Sequence, residues 1–221
     1  MIKAMLKYLF GGIMSHIKKR RAHSALGKAA RLFLIALFIS FGGWCFEVVG
    51  RALVYRQIAD RGFLSLPLCP IYGISIVLIY LLVGVPSRLS GLIGGRVARS
   101  KVWRFMAENK YARIISYFAF VTFVSTAVEL LTGLLARSLG APLWNYSERA
   151  FNLLGIICLG YSLLWGALIT LFMCFLWGPI YLLVSKLPND ASIALSVWAA
   201  IPVSLDFFIN VLYLLVTGQR L

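Results

Sequence analysis

Apolar positions along this chain run in stretches of about twenty, the length needed to cross a hydrocarbon core as helix. Five stretches stand out, at about 31–54, 67–86, 113–136, 155–183 and 195–217. They predict an all-α, polytopic membrane bundle of about five transmembrane helices. The fourth stretch is long and carries Pro179, so it is expected to tilt or to end near Gly178. Polar and small residues enter these stretches at helical spacing. Ala36, Ser40, Gly43, Glu47 and Gly50 share one face of the first, and Thr122, Ser125, Glu129 and either Thr132 or Gly133 one face of the third. Gly155, Ser162, Gly166, Thr170 and Cys174 give the fourth a similar face. Faces of this kind let membrane helices approach closely.

The pattern also repeats. Glu47 follows Arg31 by sixteen residues, and Glu129 follows Arg113 by sixteen. Leu64, Cys69 and Tyr72 pair with Leu153, Cys158 and Tyr161 at a constant offset. Residues 31–86 and 113–183 therefore read as a parallel duplicated helical hairpin, related by an axis along the membrane normal.

Composition supports the membrane reading. The chain has 221 residues, 61% hydrophobic and only 13% charged. A soluble domain carries about a quarter charged residues. The net charge of +15 is concentrated in two places, with eight basic residues from Lys3 to Arg31 and seven from Arg88 to Arg113. By the positive-inside rule both segments are expected in the cytoplasm, together with the N-terminus. Residues 1–30 read as a basic arm, best suited to an interfacial helix, and 31–221 as the transmembrane domain. Residues 88–106 suit a second interfacial helix. Basic charge beside membrane helices points to topology and anionic lipid rather than to nucleic acid. The bilayer is thus the first expected partner.

Carboxylates inside a span cost roughly 2.5–3.5 kcal/mol each on insertion scales. Glu47, Arg51, Glu129, Asp206 and Asn210 therefore form a candidate polar site in the membrane. Plainer readings stand beside it. Arg51 follows Glu47 by one turn and suits a local ion pair, while Asp206 suits a helix–helix hydrogen bond. For Glu129 the partner would be Arg137, another helix, a proton or a ligand, because position 133 is glycine. The outer connections concentrate a second set of candidates: Arg61, Phe63, Cys69, Tyr72, Trp144, Tyr146 and Asn152. An interfacial aromatic belt explains Trp144 and Tyr146 equally well. Cys45, Cys69, Cys158 and Cys174 lack metal-ligand spacing, so no metal is assigned. With no phosphate-binding loop either, no cofactor is expected and the chain does not hydrolyse ATP alone.

Two blocks of residues resemble the ABC-transporter type IV permease family of bacterial membrane proteins. The first is Gly43-Trp44 with Glu47-Val48, then Arg61-Gly62-Phe63-Leu64 and Cys69-Pro70-Ile71-Tyr72-Gly73. The second is Glu129, Trp144-Asn145-Tyr146-Ser147, Phe151-Asn152-Leu153, Ile157-Cys158-Leu159 and Trp165-Gly166. Two positions depart from the family's blocks: Asn145 stands where the family has aspartate, and Ile156 where it has arginine. The resemblance implies a permease-like subunit in the bacterial cytoplasmic membrane, with the 87–112 connection as the expected contact for an ATPase subunit. So few helices imply a homo-oligomer or a partner to complete a pathway. Two further readings remain open. One is an outer-leaflet enzyme acting on a lipid-linked substrate, with Arg51, Arg61 and Arg149 on the headgroup. The other is a non-catalytic membrane adaptor.

Overall fold

The computed structural model describes residues 2–56, 62–89, 91–140 and 142–218; before His23, and at 54, 55, 94, 102 and 105–107, only the backbone is described. Eight helices and one small hairpin make up these residues. In chain order they are α1 (Ile2–Tyr55), α2 (Pro70–Leu82), α3 (Leu92–Val97), α4 (Lys101–Glu108) and α5 (Lys110–Ser138). Then come strands β1 (Asn152–Leu153) and β2 (Ile157–Cys158), α6 (Leu159–Phe175), α7 (Trp177–Ser185) and α8 (Asn189–Thr217). The helical membrane bundle expected from the apolar pattern is the fold observed.

Three helical segments are long and apolar enough to cross a membrane: His23–Leu53 of α1, α5 and α8. Helices α6 and α7 are long and apolar enough only when taken together, bent by 49°, and make a fourth crossing if the pair is one span. The bend has a local cause: in an unbroken helix the ring of Pro179 would clash with the carbonyl of Phe175, where α6 ends. The second expected span is shorter than its apolar stretch. Helix α2 has 13 residues, about 20 Å at 1.5 Å per residue, against a core of about 30 Å. It starts with Pro70 in its first turn, where a missing N–H costs nothing. It stops where Gly84 turns left-handed at φ 86°, its N–H reaching back to the Tyr80 carbonyl at 2.9 Å.

The preceding connection fills the space that α2 leaves. Cys69 donates its backbone N–H to the Ser40 carbonyl at 3.0 Å, so this connection lies against the middle of α1. Helix α2 then returns along α1. Gly73 sits so close to the Ala36 carbonyl and Ser40 Oγ that a Cβ would overlap both. On the second hairpin, Gly166 of α6 meets Thr122 of α5 in the same way, and Gly133 meets Ile156. Gly73, Gly133 and Gly166 thus lie where helices touch, whereas Gly50 has nothing within 4 Å, Cys174 is exposed, and Gly155 sits in the turn of the small hairpin before α6.

The two hairpins meet in one apolar core formed by Ile35 and Ile39 of α1, Ile76 and Ile79 of α2, Tyr117 and Val121 of α5, Met173 and Trp177. Tyr80 and Trp177 lie 4.3 Å apart between ring centroids. The Tyr117 hydroxyl donates to the Gly84 carbonyl at 2.9 Å, tying α5 to the end of α2. Helix α8 runs beside α1 in the same direction. Arg31 hydrogen-bonds Asn189, Ser196 Oγ donates to the Ala30 carbonyl at 3.0 Å, and His23 pairs with Asp190 at 2.8 Å. Both hairpins are pinned almost two turns before their glutamate, the first at Ser40 and the second at Thr122, and the second is pinned again at Gly133, one turn after Glu129.

Candidate functional site

Both intramembrane glutamates accept a hydrogen bond from a tyrosine. The Tyr72 hydroxyl donates to Glu47 Oε1 at 2.5 Å, and the Tyr146 hydroxyl to Glu129 Oε1 at 3.2 Å. Tyr72 stands in the first turn of α2, and its ring covers Gly43 of α1, where a Cβ would lie 2.5 Å from Cδ2. The close approach that Gly43 permits lets the hydroxyl reach Glu47 one turn further on. Tyr146 comes instead from the outer connection. Its N–H donates to the Gly155 carbonyl at 2.7 Å, and Trp144 Nε1 donates to the Ile156 carbonyl at 2.8 Å. The β1–β2 hairpin thereby holds Tyr146 over the end of α5.

The pairs differ in exposure. Glu129 is 7% exposed, and its Oε2 is buried with no hydrogen-bond partner among the described residues, while Glu47 is half-buried. A buried carboxylate oxygen without a donor is costly, so it marks a place where a proton, a cation or a polar group would be bound favourably. Burial, and then the adjacent Glu129 carboxylate, push the Tyr146 hydroxyl well above the ordinary tyrosine range, so it donates as a neutral phenol.

Helix α6 joins the two pairs. Trp165 packs edge-on against Tyr72 at 5.5 Å and against Phe46 at 6.4 Å. One turn earlier, Tyr161 stacks on Tyr146 at 4.8 Å. Trp165 and Tyr161 are the members that a search for charged residues passes over; their spacing of four on one helix face was the available signal.

The remaining candidates fall elsewhere. Asp206 and Asn210 fasten the first outer connection. Asp206 accepts from the backbone N–H groups of Ser65 at 3.3 Å and Leu66 at 3.1 Å, and from Asn210 Nδ2 at 3.0 Å. Asn210 also donates to Ser65 Oγ at 3.1 Å, and Phe63 packs on Phe207 at 5.7 Å. Cys69 is buried beside this connection. Asn152 braces the second connection, donating to the carbonyls of Ser147 at 3.1 Å and Arg149 at 2.8 Å. Arg51 lies half-buried one turn beyond Glu47. Arg61 lies outside the described residues.

Asn145 and Ile156 each have a local role. Asn145 Oδ1 accepts from the N–H and Oγ of Ser147 at 3.0 and 2.6 Å, a turn that aspartate forms equally well. Ile156 is 1% exposed and fills the space over Gly133. Among the described residues no group of three or more His, Cys, Asp or Glu side chains is placed to hold a metal ion.

No curated protein and no solved structure matches the chain. The family described as "Putative ABC-transporter type IV" does match, over residues 33–211, which takes in both hairpins and most of α8. The chain belongs to this family, as a multi-pass membrane protein.

Proposed function

We propose that the chain is the membrane-embedded, permease-like subunit of an ABC-type transporter, with a polar inter-helix site built from the Glu47–Tyr72 and Glu129–Tyr146 pairs. The observation that carries this reading is the unpartnered, buried Oε2 of Glu129 beside a tyrosine donor. Such a carboxylate can bind a proton, a cation or a hydrogen-bond donor of a transported molecule, and the neighbouring phenol holds it in place. The hairpins meet at aromatic rings above and an apolar core below. Movement of one hairpin against the other would open or close the region between the two pairs.

Family membership favours an ATPase partner, since no phosphate-binding loop occurs in this chain. The basic connection between α2 and α5 is the contact we assign to it, on the cytoplasmic side with the N-terminus. Arg99, Lys101 and Arg104 are exposed there. Arg104 is held by a hydrogen bond to the Arg99 carbonyl at 3.4 Å, and α4 starts on a Ser100 cap that accepts from Trp103 N–H at 3.1 Å. Affinity purification in mild detergent tests the assignment. A stoichiometric ATPase subunit is expected with the wild type and is lost from Arg99→Glu with Arg104→Glu. Recovery of intact protein without any ATPase, or undiminished recovery with the double variant, would count against it.

A further inference from the structure

The second outer connection builds a groove that the glutamate–tyrosine pairs do not use. Its cavity is about 530 Å³, lined among others by Arg149, Phe151, Leu159, Tyr161, Leu163 and Leu164. That volume lies within the range of sites for small organic ligands. One end is cationic and the rest apolar. The apolar part continues onto the outward face of α6, where Leu159, Leu163 and Leu164 are exposed on a helix that crosses the membrane.

The cationic end is held in place. Arg149 donates its backbone N–H to the Tyr146 carbonyl at 2.9 Å, and its own carbonyl accepts from Asn152 Nδ2 at 2.8 Å. Its guanidinium lies over the Tyr161 ring, with Cζ 5.8 Å from the centroid. Stacking uses the face of a guanidinium and keeps its N–H edge available for a phosphate. Beside it, Phe151 is 83% exposed at φ 53°. A bulky residue in the left-handed region is strained, a condition that concentrates at binding sites. The hairpin holds it there, Leu159 N–H donating to the Phe151 carbonyl at 3.3 Å. Glu148 lines the neighbouring cavity together with Asn145, Ser147 and Arg149 and is not among the residues lining this groove.

We infer that this groove binds an anionic phospholipid, with the phosphate on Arg149 and an acyl chain along Phe151, Leu159, Leu163 and Leu164. An aqueous phosphate would gain nothing from the four apolar side chains, which is why the lipid is the occupant. Arg149 stacks on Tyr161, Tyr161 on Tyr146, and Tyr146 bonds Glu129. The groove is therefore one ring stack from the buried carboxylate. The inference concerns binding alone, so its failure would leave the transport reading standing.

Titration of the purified full-length chain in uncharged detergent, followed by thermophoresis, tests it with three probes: a short-chain phosphatidylglycerol, the phosphatidylcholine with the same chains, and inorganic phosphate. Phosphatidylglycerol is expected to bind roughly tenfold more tightly than phosphatidylcholine, whose choline cation repels Arg149 and offsets the pull on its phosphate, a difference on the scale of one charge-assisted hydrogen bond. Phosphate should not displace it. Arg149→Gln should reduce phosphatidylglycerol to the phosphatidylcholine level, while Arg99→Gln on the basic connection retains it. Equal binding of the two lipids, displacement by phosphate, or equal losses in the two variants would overturn the inference. If Arg149→Gln does not fold, the three-probe comparison on the wild type decides.

Discussion

Replacing Gly73 with alanine is the sharpest test of how α2 sits on α1. The new Cβ would overlap the Ala36 carbonyl and Ser40 Oγ, and Ala36 C would lie 2.7 Å away. Two of these three atoms belong to the backbone of a long helix, so neither can swing aside as a flexible side chain would. The helices must separate, which costs about 3 kcal/mol, the upper end for overpacking. Alanine regains about 1 kcal/mol of helix propensity over glycine. The net loss is about 2 kcal/mol, a shift of roughly thirtyfold in the unfolding equilibrium. Gly42→Ala is the matched control on α1, because nothing lies within 4 Å of its would-be Cβ. It should leave stability unchanged or raise it by up to about 1 kcal/mol. Unfolding both variants with sodium dodecyl sulfate in mixed micelles, followed by circular dichroism, compares them directly. Gly73→Ala unfolding at or above the midpoint of Gly42→Ala would refute the packing of the first hairpin.

Three further outcomes follow from the same geometry. Asp206→Ala removes the acceptor for the Ser65 and Leu66 N–H groups; it should destabilise by roughly 2 kcal/mol and speed hydrogen exchange in residues 62–68 before elsewhere. Asn145→Asp keeps the acceptor that Ser147 uses, so its thermal midpoint should match the wild type to within about 0.5 kcal/mol of stability. Leu154→Asn should raise the thermal midpoint, reflecting about 1 kcal/mol of added stability, since Leu154 and Gly155 adopt φ 56° and 64° in a tight turn that favours asparagine followed by glycine.

Hydropathy made the spanning part of α1, α5 and α8 legible, because each is apolar over a length that can cross a membrane. It could not locate the end of α2. Val83, Val85 and Pro86 continue the apolar run, and only the left-handed Gly84 marks the stop. The bend after α6 was foreshadowed by Pro179, but its place at Leu176 follows from the carbonyl that the ring excludes. Glu47 and Glu129 were legible as costly residues, and their small-residue faces as helix contacts. Their donors were not, since the tyrosines lie 25 and 17 residues away in the chain. Tyr72 aligns with Tyr161 in sequence, and the hydroxyl on Glu129 is that of Tyr146, on which Tyr161 stacks. Asp206 has a similar lesson. Read along its helix it is a polar patch; in the fold it closes two backbone donors of a distant connection.

The central claim is that Glu129 works within an ATP-driven transport subunit. Its most direct test is ATP hydrolysis by the affinity-purified assembly reconstituted in vesicles, comparing the wild type with Glu129→Gln. Glutamine keeps the shape and an acceptor for Tyr146 but removes the charge. The account predicts an assembly of unchanged composition whose hydrolysis falls by roughly tenfold or more, the scale of one lost charged contact. Hydrolysis at the wild-type rate in an intact Glu129→Gln assembly would contradict it.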